Sequence, residues 1–577
     1  MDNMKSINSI QGIRAIRGSM YCYLLLSLFY GSYAYTQEIP AHYPEEPKIA
    51  AASDEGTLAI KSFVYPQNLK INLFAAEPDV ANPVAIHVDF RGRVFVCESF
   101  RQGKGIEDNR KHGNWLNDDL AAQSVSDRIA YIKKFLGEKS VEYARYDDRI
   151  RLLQDSNADG KADSSKVFAN RFNQIEMGTG AGVLSYRNKV YYTCIPHLWL
   201  LEDNDNDGVS NSRKSLQSGY GVRFAFRGHD SHGLIVGPDG RLYFSIGDRG
   251  YNIRTAGRDF KDPASGAVFR CDLDGSNFEV VATGLRNPQE LAFDEFGNLF
   301  TGDNNSDSGD KARWVYVVPG SDSGWRMYYQ YLSDRGPFNR EKIWHPYSAK
   351  DSPAYVVPPV TNLADGPSGL AYYPGTGLGD EFLGRFFLCD FRGGPSNSGI
   401  RTFKVKPKGA FFEVTDMEQT FWRQLVTDLH FAPDGSLYVS DWVNGWEGLG
   451  KGRIYRYTNP DSQKSMLVAE VKKHLNEGMR KVDLSNLIEL LSSPDQRVRQ
   501  EAQFELVSRT ERKSLLAVAL NESLETLPRI HAIWGLEQLT RHSDDKSNVK
   551  QLIELLESSD DEVRAQAAKM IGDCGAT

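Results

Sequence analysis

The chain has 577 residues, a formal net charge of −8, 11% aromatic residues and 51 glycines. This length is ample for a large core and for more than one domain. No basic run interleaves with aromatic residues, so the composition argues against a nucleic-acid partner.

Residues 1–36 are typical of a secretory signal. Basic residues precede an apolar run from Met20 to Tyr30, and small residues follow as far as Ala34. The run is too short to cross a bilayer, where roughly 20 apolar residues are needed. Cleavage near Ala34 is therefore favoured over an uncleaved anchor, which stays the alternative. We expect an exported protein, periplasmic or at the outer surface with membrane association open, and a linker over residues 37–64.

The cysteines show no metal or haem pattern. None of Cys97, Cys194, Cys271, Cys389 and Cys574 forms a C-x-x-C or C-x-x-C-H pair, so a haem c site is not expected in this chain. Four of the five lie in apolar, strand-like contexts. Buried free thiols are therefore predicted, and a disulfide in an exported protein stays open.

A repeated unit runs through residues 65–460. Each copy is a short apolar strand, a turn rich in Pro, Asp and Gly, and a second strand rich in Leu, Val, Phe and Tyr. The copies occupy residues 84–96, 182–192, 233–244, 291–300, 369–388 and 429–439. Strand repeats on the order of 50 residues apart predict a β-propeller with one blade per copy. The predicted fold class is mainly β, a six-bladed propeller; a sandwich would not predict this repeat.

Two longer gaps between copies require insertions. Residues 101–148 contain apolar residues at helical spacing between Val125 and Leu136, with Gly137 placed to end that helix. Residues 326–366 are rich in Pro, Tyr and Trp. Long insertions in a compact domain are often lids or binding loops, and decoration is the alternative.

Residues 465–577 change to leucine-rich helical periods. Pairs ending in arginine at 498–499, 528–529 and 563–564 recur along this segment. The pattern resembles HEAT-type helical repeats, which often bind a protein partner. The last repeat lacks a polar cap, so we expect an incomplete array and a chain that is part of a longer polypeptide. We also expect the segment to be an add-on, without which a chain ending near Asp461 still folds.

Two acidic loops are spaced like calcium sites. In loops 155–163 and 203–211, side-chain oxygens occupy positions 1, 3, 5 and 9, and glycine at position 6 permits the sharp turn. The expected ligands are Asp155, Asn157, Asp159 and Asp163 in one loop and Asp203, Asp205, Asp207 and Asn211 in the other. Lysine stands at position 12, so the loops are not EF-hands; they resemble the calcium hairpins on outer strands of integrin-type propellers. An ion-free acidic turn is the alternative for each.

Residues 227–250 carry the main functional signal. The run RGHDSHGLIVGPDGRLYFSIGDRG predicts a hairpin that returns Asp248 beside His229. A carboxylate beside an imidazole orients the ring and raises its basicity. Residues before the other inner strands are nearly all polar, and in a propeller they would ring one mouth of the channel, as in a ligand site. A capped hairpin with solvated histidines is the alternative.

The same run, followed by GLRNPQELAF, resembles the soluble quinoprotein glucose and sorbosone dehydrogenases. The resemblance implies that His229 is the base, that Asp248 orients it and that Arg286 contacts quinone and substrate. It adds His232, Asn287 and Gln289 as binding residues. The loop TGDNNSDSGD occupies the place of the family's catalytic calcium loop, with Asp303, Asn304 and Asp310 as ligands.

A closer resemblance is to the membrane-bound dehydrogenase-like propellers of environmental bacteria, which join this propeller to HEAT repeats and often end in a haem c domain. One departure concerns the quinone. Where the glucose enzymes place an Arg-x-Arg pair, this chain has Leu425 and Thr427, with Arg392 and Arg423 as nearby, offset candidates.

The resemblance implies a PQQ-dependent and calcium-dependent oxidoreductase that acts on a sugar or alcohol, with a cytochrome c as a candidate electron acceptor. Two alternatives remain. One is a calcium-dependent lactonase-like hydrolase that uses Asp303 and Asn304 with His232. The other is a glycan-binding or protein-binding propeller on a HEAT scaffold, with no enzymatic activity.

Overall fold

A computed structural model of the chain describes residues 43–574 except 107, 308, 327–355, 542 and 544–546. Six antiparallel blades surround a central channel, and the inner strands of successive blades pack against one another in a closed ring. The predicted six-bladed propeller is confirmed. Each of the six predicted copies forms the inner hairpin of one blade.

The blades follow one another along the chain, and each starts with its inner strand. Blades one and two contain β2 (Pro83–Val88), β3 (Val94–Glu98), β4 (Asp148–Gln154), β5 (Ser164–Phe172), β6 (Gly180–Tyr186), β7 (Lys189–Cys194), β8 (His197–Glu202) and β9 (Ser212–Ser218). Blades three and four contain β10 (Ser231–Val236), β11 (Leu242–Ile246), β14 (Gly266–Cys271), β15 (Glu279–Leu285), β19 (Ser321–Asp322), β16 (Pro288–Phe293), β17 (Leu299–Asp303), β18 (Arg313–Tyr316) and β20 (Thr361–Asn362). A separate hairpin, β12 (Tyr251–Thr255) and β13 (Arg258–Asp262), projects from blade three.

The last two blades close the ring. They contain β21 (Pro367–Tyr372), β22 (Arg385–Asp390), β23 (Gly399–Lys408), β24 (Phe411–Trp422), β25 (Val426–Phe431), β26 (Leu437–Asp441) and β27 (Arg453–Thr458). The outer strand of blade six is β1 (Lys70–Ala76), which pairs antiparallel with β27. The first and last strands of the propeller therefore share one sheet, which fastens the ring.

The second strands of four blades are completely buried. Every residue of β3, β11, β17 and β26 is buried. Such a strand is paired along both edges and covered by adjacent blades on both faces, so alternation of apolar and polar residues is lost. Cys97, Cys194, Cys271, Cys389 and Cys574 are all buried free thiols, and the first four lie on strands, as predicted.

Part of the predicted linker is structured, so that prediction is wrong for residues 55–64. Helix α1 (Glu55–Ala59) and a 3₁₀ turn pack on blade six. The Glu55 carboxylate accepts hydrogen bonds from Lys451 at 2.8 Å and Arg453 at 2.9 Å. The Tyr455 hydroxyl donates to the Gly56 carbonyl at 2.9 Å. The predicted signal, residues 1–36, lies outside the described residues.

The first insertion contains the predicted helix. After α2 (Leu116–Ala121), α3 (Val125–Leu136) begins at Ser124, whose side chain accepts from the Asp127 amide, and ends at Gly137. These helices pack against the segment that leads to β10, through a cluster that joins Trp115, Tyr131 and Ile132 to Phe224. The insertion thus supports the entry to blade three. Most of the second insertion lies outside the described residues.

The C-terminal segment is helical, as its periodicity predicted. Its helices are α4 (Met466–Glu477), α5 (Leu484–Leu490), α6 (Gln496–Ser508), α7 (Arg512–Leu520), α8 (Thr526–Arg541), α9 (Ser547–Glu554) and α10 (Asp561–Asp573). They bury one apolar core, which Phe90 and Phe296 of the propeller join. In the part of the chain that the structure describes, no helix is both long and apolar enough to span a membrane.

The helices pack directly against the propeller. Side-chain amides of Gln500, Gln503 and Gln566 donate to the backbone carbonyls of Val236, Pro238 and Phe296, at the turns of blades three and four. Arg497 donates to the Ala432 carbonyl of blade six at 2.7 Å. These contacts satisfy backbone groups of several blades. That a chain ending near Asp461 still folds stays a prediction.

Candidate functional site

The predicted imidazole–carboxylate pair forms at the mouth of the channel opposite the helices. Ser231 pairs with Ile246 at the end of the β10–β11 hairpin, which brings the two flanking segments together. His229 Nδ1 lies 2.8 Å from Asp248 Oδ1. The residues are 3% and 4% exposed. A carboxylate only accepts hydrogen bonds, so Nδ1 carries the proton and Nε2 presents its lone pair.

Three contacts hold Asp248 in place. Besides His229, its Oδ2 accepts a hydrogen bond from the indole Nε1–H of Trp325 at 2.9 Å. Its backbone N–H donates to the Arg286 carbonyl at 2.7 Å. Trp325 is fully buried and follows β19. Sequence reasoning missed Trp325, because its partner lies 77 positions away and no local pattern links the two.

Asp248 is not part of a repeated structural feature of the blades. The residue that pairs with the first position of the inner strand is acidic in four blades: Glu98, Asp303, Asp390 and Asp441. Each of these carboxylates accepts a backbone N–H of a nearby loop. In blade three the matching residue is Ile246, and Asp248 lies two positions further along. The blade repeat therefore does not explain why Asp248 is paired with a histidine.

Arg286 faces the dyad from the neighbouring blade. Its guanidinium carbon lies 5.2 Å from the Phe226 ring and 5.5 Å from the Trp325 ring. Nη2 donates to Asp307 at 2.9 Å, and Nη1 contacts the Asn305 carbonyl. The side chain is 1% exposed. Two rings and two oxygen acceptors fix this cation beside the Asp248 backbone.

Asn287 carries the clearest sign of a missing polar partner. Its backbone N–H donates to Asp303 at 2.6 Å. The side chain is 1% exposed, and neither its amide oxygen nor its amide nitrogen has a hydrogen-bond partner in the described structure. A buried polar group without a partner is costly and often marks a site completed by a ligand or water. The next predicted binding residue, Gln289, is half-buried on β16.

His232 is committed to the fold. Its Nε2 lies 2.8 Å from the Gly228 carbonyl and its Nδ1 lies 3.4 Å from the Ala181 carbonyl. Burial lowers the pKa of this imidazole, although Asp230 acts in the opposite direction. A neutral imidazole carries one N–H, so His232 donates to only one of these carbonyls, the nearer one being that of Gly228, and its role in binding stays a prediction.

The predicted calcium loop after β17 does not form an open ligand set. Asp303 is fully buried, accepts the backbone N–H groups of Arg286 and Asn287, and contacts the Arg313 guanidinium. The Asn304 side chain accepts from the Asn305 amide at 2.8 Å, and Asp310 accepts from the Ser306 hydroxyl at 2.6 Å. In this arrangement the oxygens of Asp303, Asn304 and Asp310 accept from separate protein donors, and a calcium site formed by them stays a prediction.

Neither offset arginine replaces the missing Arg-x-Arg pair. Arg392 donates to Asp390 at 2.6 Å and lies 2.7 Å from Asp365, and the Asp390 hydrogen bond raises the pKa of Arg392. Arg423 is exposed. Leu425 is fully buried, and the Thr427 hydroxyl donates to the Pro83 carbonyl at 2.9 Å.

The first insertion contributes polar groups that the sequence did not reveal. Arg110 lies over the Phe226 ring at 4.2 Å and donates to Asp108 at 2.7 Å. Burial alone would raise the pKa of Asp108, but its hydrogen bonds from Arg110 leave that pKa below its usual value. The mouth is thus built from four parts of the chain: the insertion, the β10 entry, the β15–β16 turn and the segment around Trp325.

The two outer acidic loops adopt one common conformation. They join β4 to β5 and β8 to β9, the hairpin setting that was predicted. Ala158 with Gly160, and Asn206 with Gly208, take left-handed backbone conformations at matching positions. In the second loop, carboxylate oxygens of Asp203, Asp205 and Asp207 all lie within 4.8 Å of one another. Calcium binding at both loops stays a prediction.

Comparisons with known proteins find partial relatives. Residues over a 136-residue stretch are 31% identical to quinoprotein glucose dehydrogenase B of Acinetobacter calcoaceticus, which is 19% of this chain. The match spans 28% of the length of that curated relative.

Solved structures resemble the propeller at low identity. The PQQ-bound aldose sugar dehydrogenase of Streptomyces coelicolor is 16% identical, with a TM-score of 0.40 over 68% of this chain and 99% of that one. The holo PQQ domain of pyranose dehydrogenase from Coprinopsis cinerea is 12% identical, with a TM-score of 0.41 over 69% and 97%.

A family model matches most of the propeller. It is described as a domain of unknown function, DUF7133, and it covers residues 55–446, more than half of the chain. The match includes the structured end of the predicted linker and all residues of the dyad and its surroundings. The chain therefore belongs to the DUF7133 family.

Proposed function

We propose that this protein is an exported, quinoprotein-like oxidoreductase that dehydrogenates a sugar or alcohol hydroxyl. The observation that carries the proposal is the buried His229–Asp248 pair, which the blade repeat does not require. The 31% identity to a quinoprotein glucose dehydrogenase over 136 residues supports the same chemistry.

His229 has the geometry of a general base. With Nδ1–H held by Asp248 at 2.8 Å, Nε2 accepts the proton of a substrate hydroxyl. The imidazolium that results is stabilised by the adjacent carboxylate, and the near absence of solvent strengthens that attraction.

The polar groups around the dyad fit a bound PQQ in part. Arg286 would face its acidic groups, and the unsatisfied amide of Asn287 would gain a partner. When bound, PQQ supplies a hydride acceptor for the carbon that carries the substrate hydroxyl. Leu425 and Thr427 provide no charge for it, so Arg286 would carry more of the binding than in the glucose enzymes. Asp303, Asn304 and Asp310 would be the residues to hold a calcium ion at this mouth, and no step is assigned to it.

The geometry disfavours the lactonase-like alternative. That reaction was expected to use Asp303 and Asn304 with His232, and all three side chains make separate structural contacts. A glycan-binding or protein-binding propeller without activity remains an outcome of the experiment below.

We also propose roles for the flanking segments. Residues 1–36 would direct export to the periplasm or outer surface, where a cytochrome c would accept electrons. The helices from α4 to α10 would form a HEAT-type array that binds a protein partner on the face turned away from the propeller. The arginines near the starts of α6, α8 and α10 support a helical repeat, since they recur on every second helix.

The test is quinone-dependent dye reduction by the purified protein with a panel of sugars and alcohols. We expect turnover that requires added PQQ, and a loss of roughly 10²–10⁴-fold in His229→Ala, the usual scale for a general base. His474→Ala, on helix α4 far from the mouth, is the matched control and should keep full turnover. Absence of activity with every substrate, or full activity in His229→Ala, would contradict the proposal.

A further inference from the structure

The half of the channel that faces the helices holds a cavity of about 220 Å³. All six inner strands line it, and the helical segment covers its end. The covering side chains come from α6 and α8 and are Gln496, Arg497, Gln500, Glu501, His531 and Trp534. Glu501 accepts a hydrogen bond from the Tyr186 hydroxyl at 2.9 Å, which ties this cover to blade two. The cavity is separate from the dyad, which lies at the other mouth.

Two histidines and two carboxyl groups of the inner strands are among the side chains that face this space. His87 and His430 lie on the inner strands of blades one and six with ring centroids 4.2 Å apart. Glu290 and Asp428 lie on the inner strands of blades four and six. His87, His430 and Glu290 keep accessible surface although they lie deep in the protein, because that surface faces the cavity instead of bulk solvent.

The two imidazoles offer donors, not metal ligands. His87 Nδ1 accepts from the Ser185 backbone N–H, and His430 Nδ1 accepts from the Val88 backbone N–H, each at 3.3 Å. Burial lowers the pKa of both rings, so both are neutral. A neutral ring whose Nδ1 accepts a hydrogen bond carries its proton on Nε2. The His87 ring has no second hydrogen bond among the described residues.

The carboxyl groups of Glu290 and Asp428 add polar side chains that carry no charge. Asp428 accepts the backbone N–H groups of Ile86 and Leu429, each at 2.7 Å. Burial raises the pKa of Glu290 and of Asp428, and the proximity of Asp428 raises that of Glu290 further. Arg497, which also lines the cavity, is already paired with Asp495 and with the Ala432 carbonyl.

Much of the remaining wall is apolar, with Leu234, Leu291, Leu370 and Leu429 among its residues. A cavity of ~150 Å³ is enough to hold a benzene ring.

We propose that this cavity binds a small uncharged molecule built on a single ring that carries a hydroxyl or carbonyl oxygen. The ring would pack on the leucine wall, and its oxygen would accept a hydrogen bond from the Nε2–H of His87. The site lies between propeller and helices, so a bound molecule would strengthen their association. This inference is independent of the proposed dehydrogenase activity.

The probes are phenol and toluene, which have similar shapes; phenol carries a hydroxyl group where toluene carries a methyl group. Binding is measured by calorimetry and by the shift in melting temperature of the full chain, and the phenol position is read from a crystal soaked with it. We expect phenol in the cavity, and a preference for phenol over toluene that His87→Phe removes. Ala371→Leu, which places a larger side chain on a half-buried position of the wall, should weaken phenol binding at least tenfold.

The matched control is Ala121→Leu, the same substitution at the end of helix α2 and outside the cavity. It should bind phenol as the unmodified chain does. A soaked crystal that shows only water in the cavity overturns the proposal, and this readout needs no variant to fold. Equal phenol affinity in Ala371→Leu and in the unmodified chain overturns it as well.

Discussion

Replacing Asp248 with asparagine should impair catalysis, because it changes which ring nitrogen of His229 carries the proton. The hydrogen bond from Trp325 forces this change. Asparagine presents one oxygen and one NH₂ group where aspartate presents two oxygens. The Trp325 indole Nε1–H can only donate, and it lies 2.9 Å from Oδ2. The asparagine oxygen must therefore face Trp325, which turns the NH₂ group toward His229 Nδ1.

That orientation changes the tautomer of the histidine. Nδ1 must then accept from the NH₂ group, so the ring proton moves to Nε2 and the base loses its lone pair. The reverse orientation sets two donors against each other, at a cost of about 1–3 kcal/mol for buried groups left unsatisfied. An aspartate-to-asparagine change behind the histidine of a serine-protease triad costs roughly 10⁴-fold by the same tautomer effect. We expect a loss on the order of 10²–10⁴-fold, as large as that in His229→Ala.

The assay is turnover of Asp248→Asn, Trp325→Phe and the double variant, with the quinone and the best substrate of the panel. Phenylalanine removes the indole donor, so the asparagine can turn its oxygen toward Nδ1–H. The double variant should regain about 5- to 150-fold over Asp248→Asn, the equivalent of 1–3 kcal/mol. The reasoning would be refuted if the loss in the double variant equalled the combined losses of the two single variants. Full activity in Asp248→Asn would refute it as well. Circular dichroism checks that each variant keeps its β-structure.

The other predictions concern stability. Calcium in the two outer loops should stabilise the fold by about 2.7 kcal/mol at a hundredfold excess over Kd; chelation should lower the melting temperature, and Asp155→Ala with Asp203→Ala should remove that effect. An unchanged melting curve with chelator would contradict calcium binding. A chain ending at Asp461 would expose Phe90, Phe296 and the turn carbonyls that the helices cover. It should therefore have a lower melting temperature than the full chain and bind a hydrophobic dye. Identical melting temperatures of the truncated and full chains would show that the docking is unimportant. Burial raises the pKa of Asp294 to about 7. The folded state therefore keeps a proton that the unfolded chain releases, so the free energy of unfolding should fall as pH rises from about 4 to about 7. Urea titrations across this range should show a flatter slope in Asp294→Asn, and an unaltered slope would count against the assignment.

Local patterns in the sequence were enough to predict the blades and the dyad. A strand pair joined by a short turn is specified by neighbouring residues, so each of the six copies could be recognised on its own. His229 and Asp248 lie at the two ends of one such hairpin, and its register alone brings them together. Gly137 ended its predicted helix for the same reason, since capping depends on adjacent residues.

Contacts between distant parts of the chain could not be read in this way. The sequence shows that Asp303 is acidic, but only the folded chain places Arg313 and two backbone N–H groups against it. The same holds for the Trp325 indole on Asp248 and for the two carbonyls that occupy His232. Each residue type has a fixed set of hydrogen-bond donors and acceptors, but packing decides which partner uses them. Apolar burial is not directional, so it permits many arrangements until the whole core is assembled. The helices beneath the channel were visible as an amphipathic pattern, and only the tertiary structure decided that their polar face would satisfy the turns of the propeller and cover its cavity.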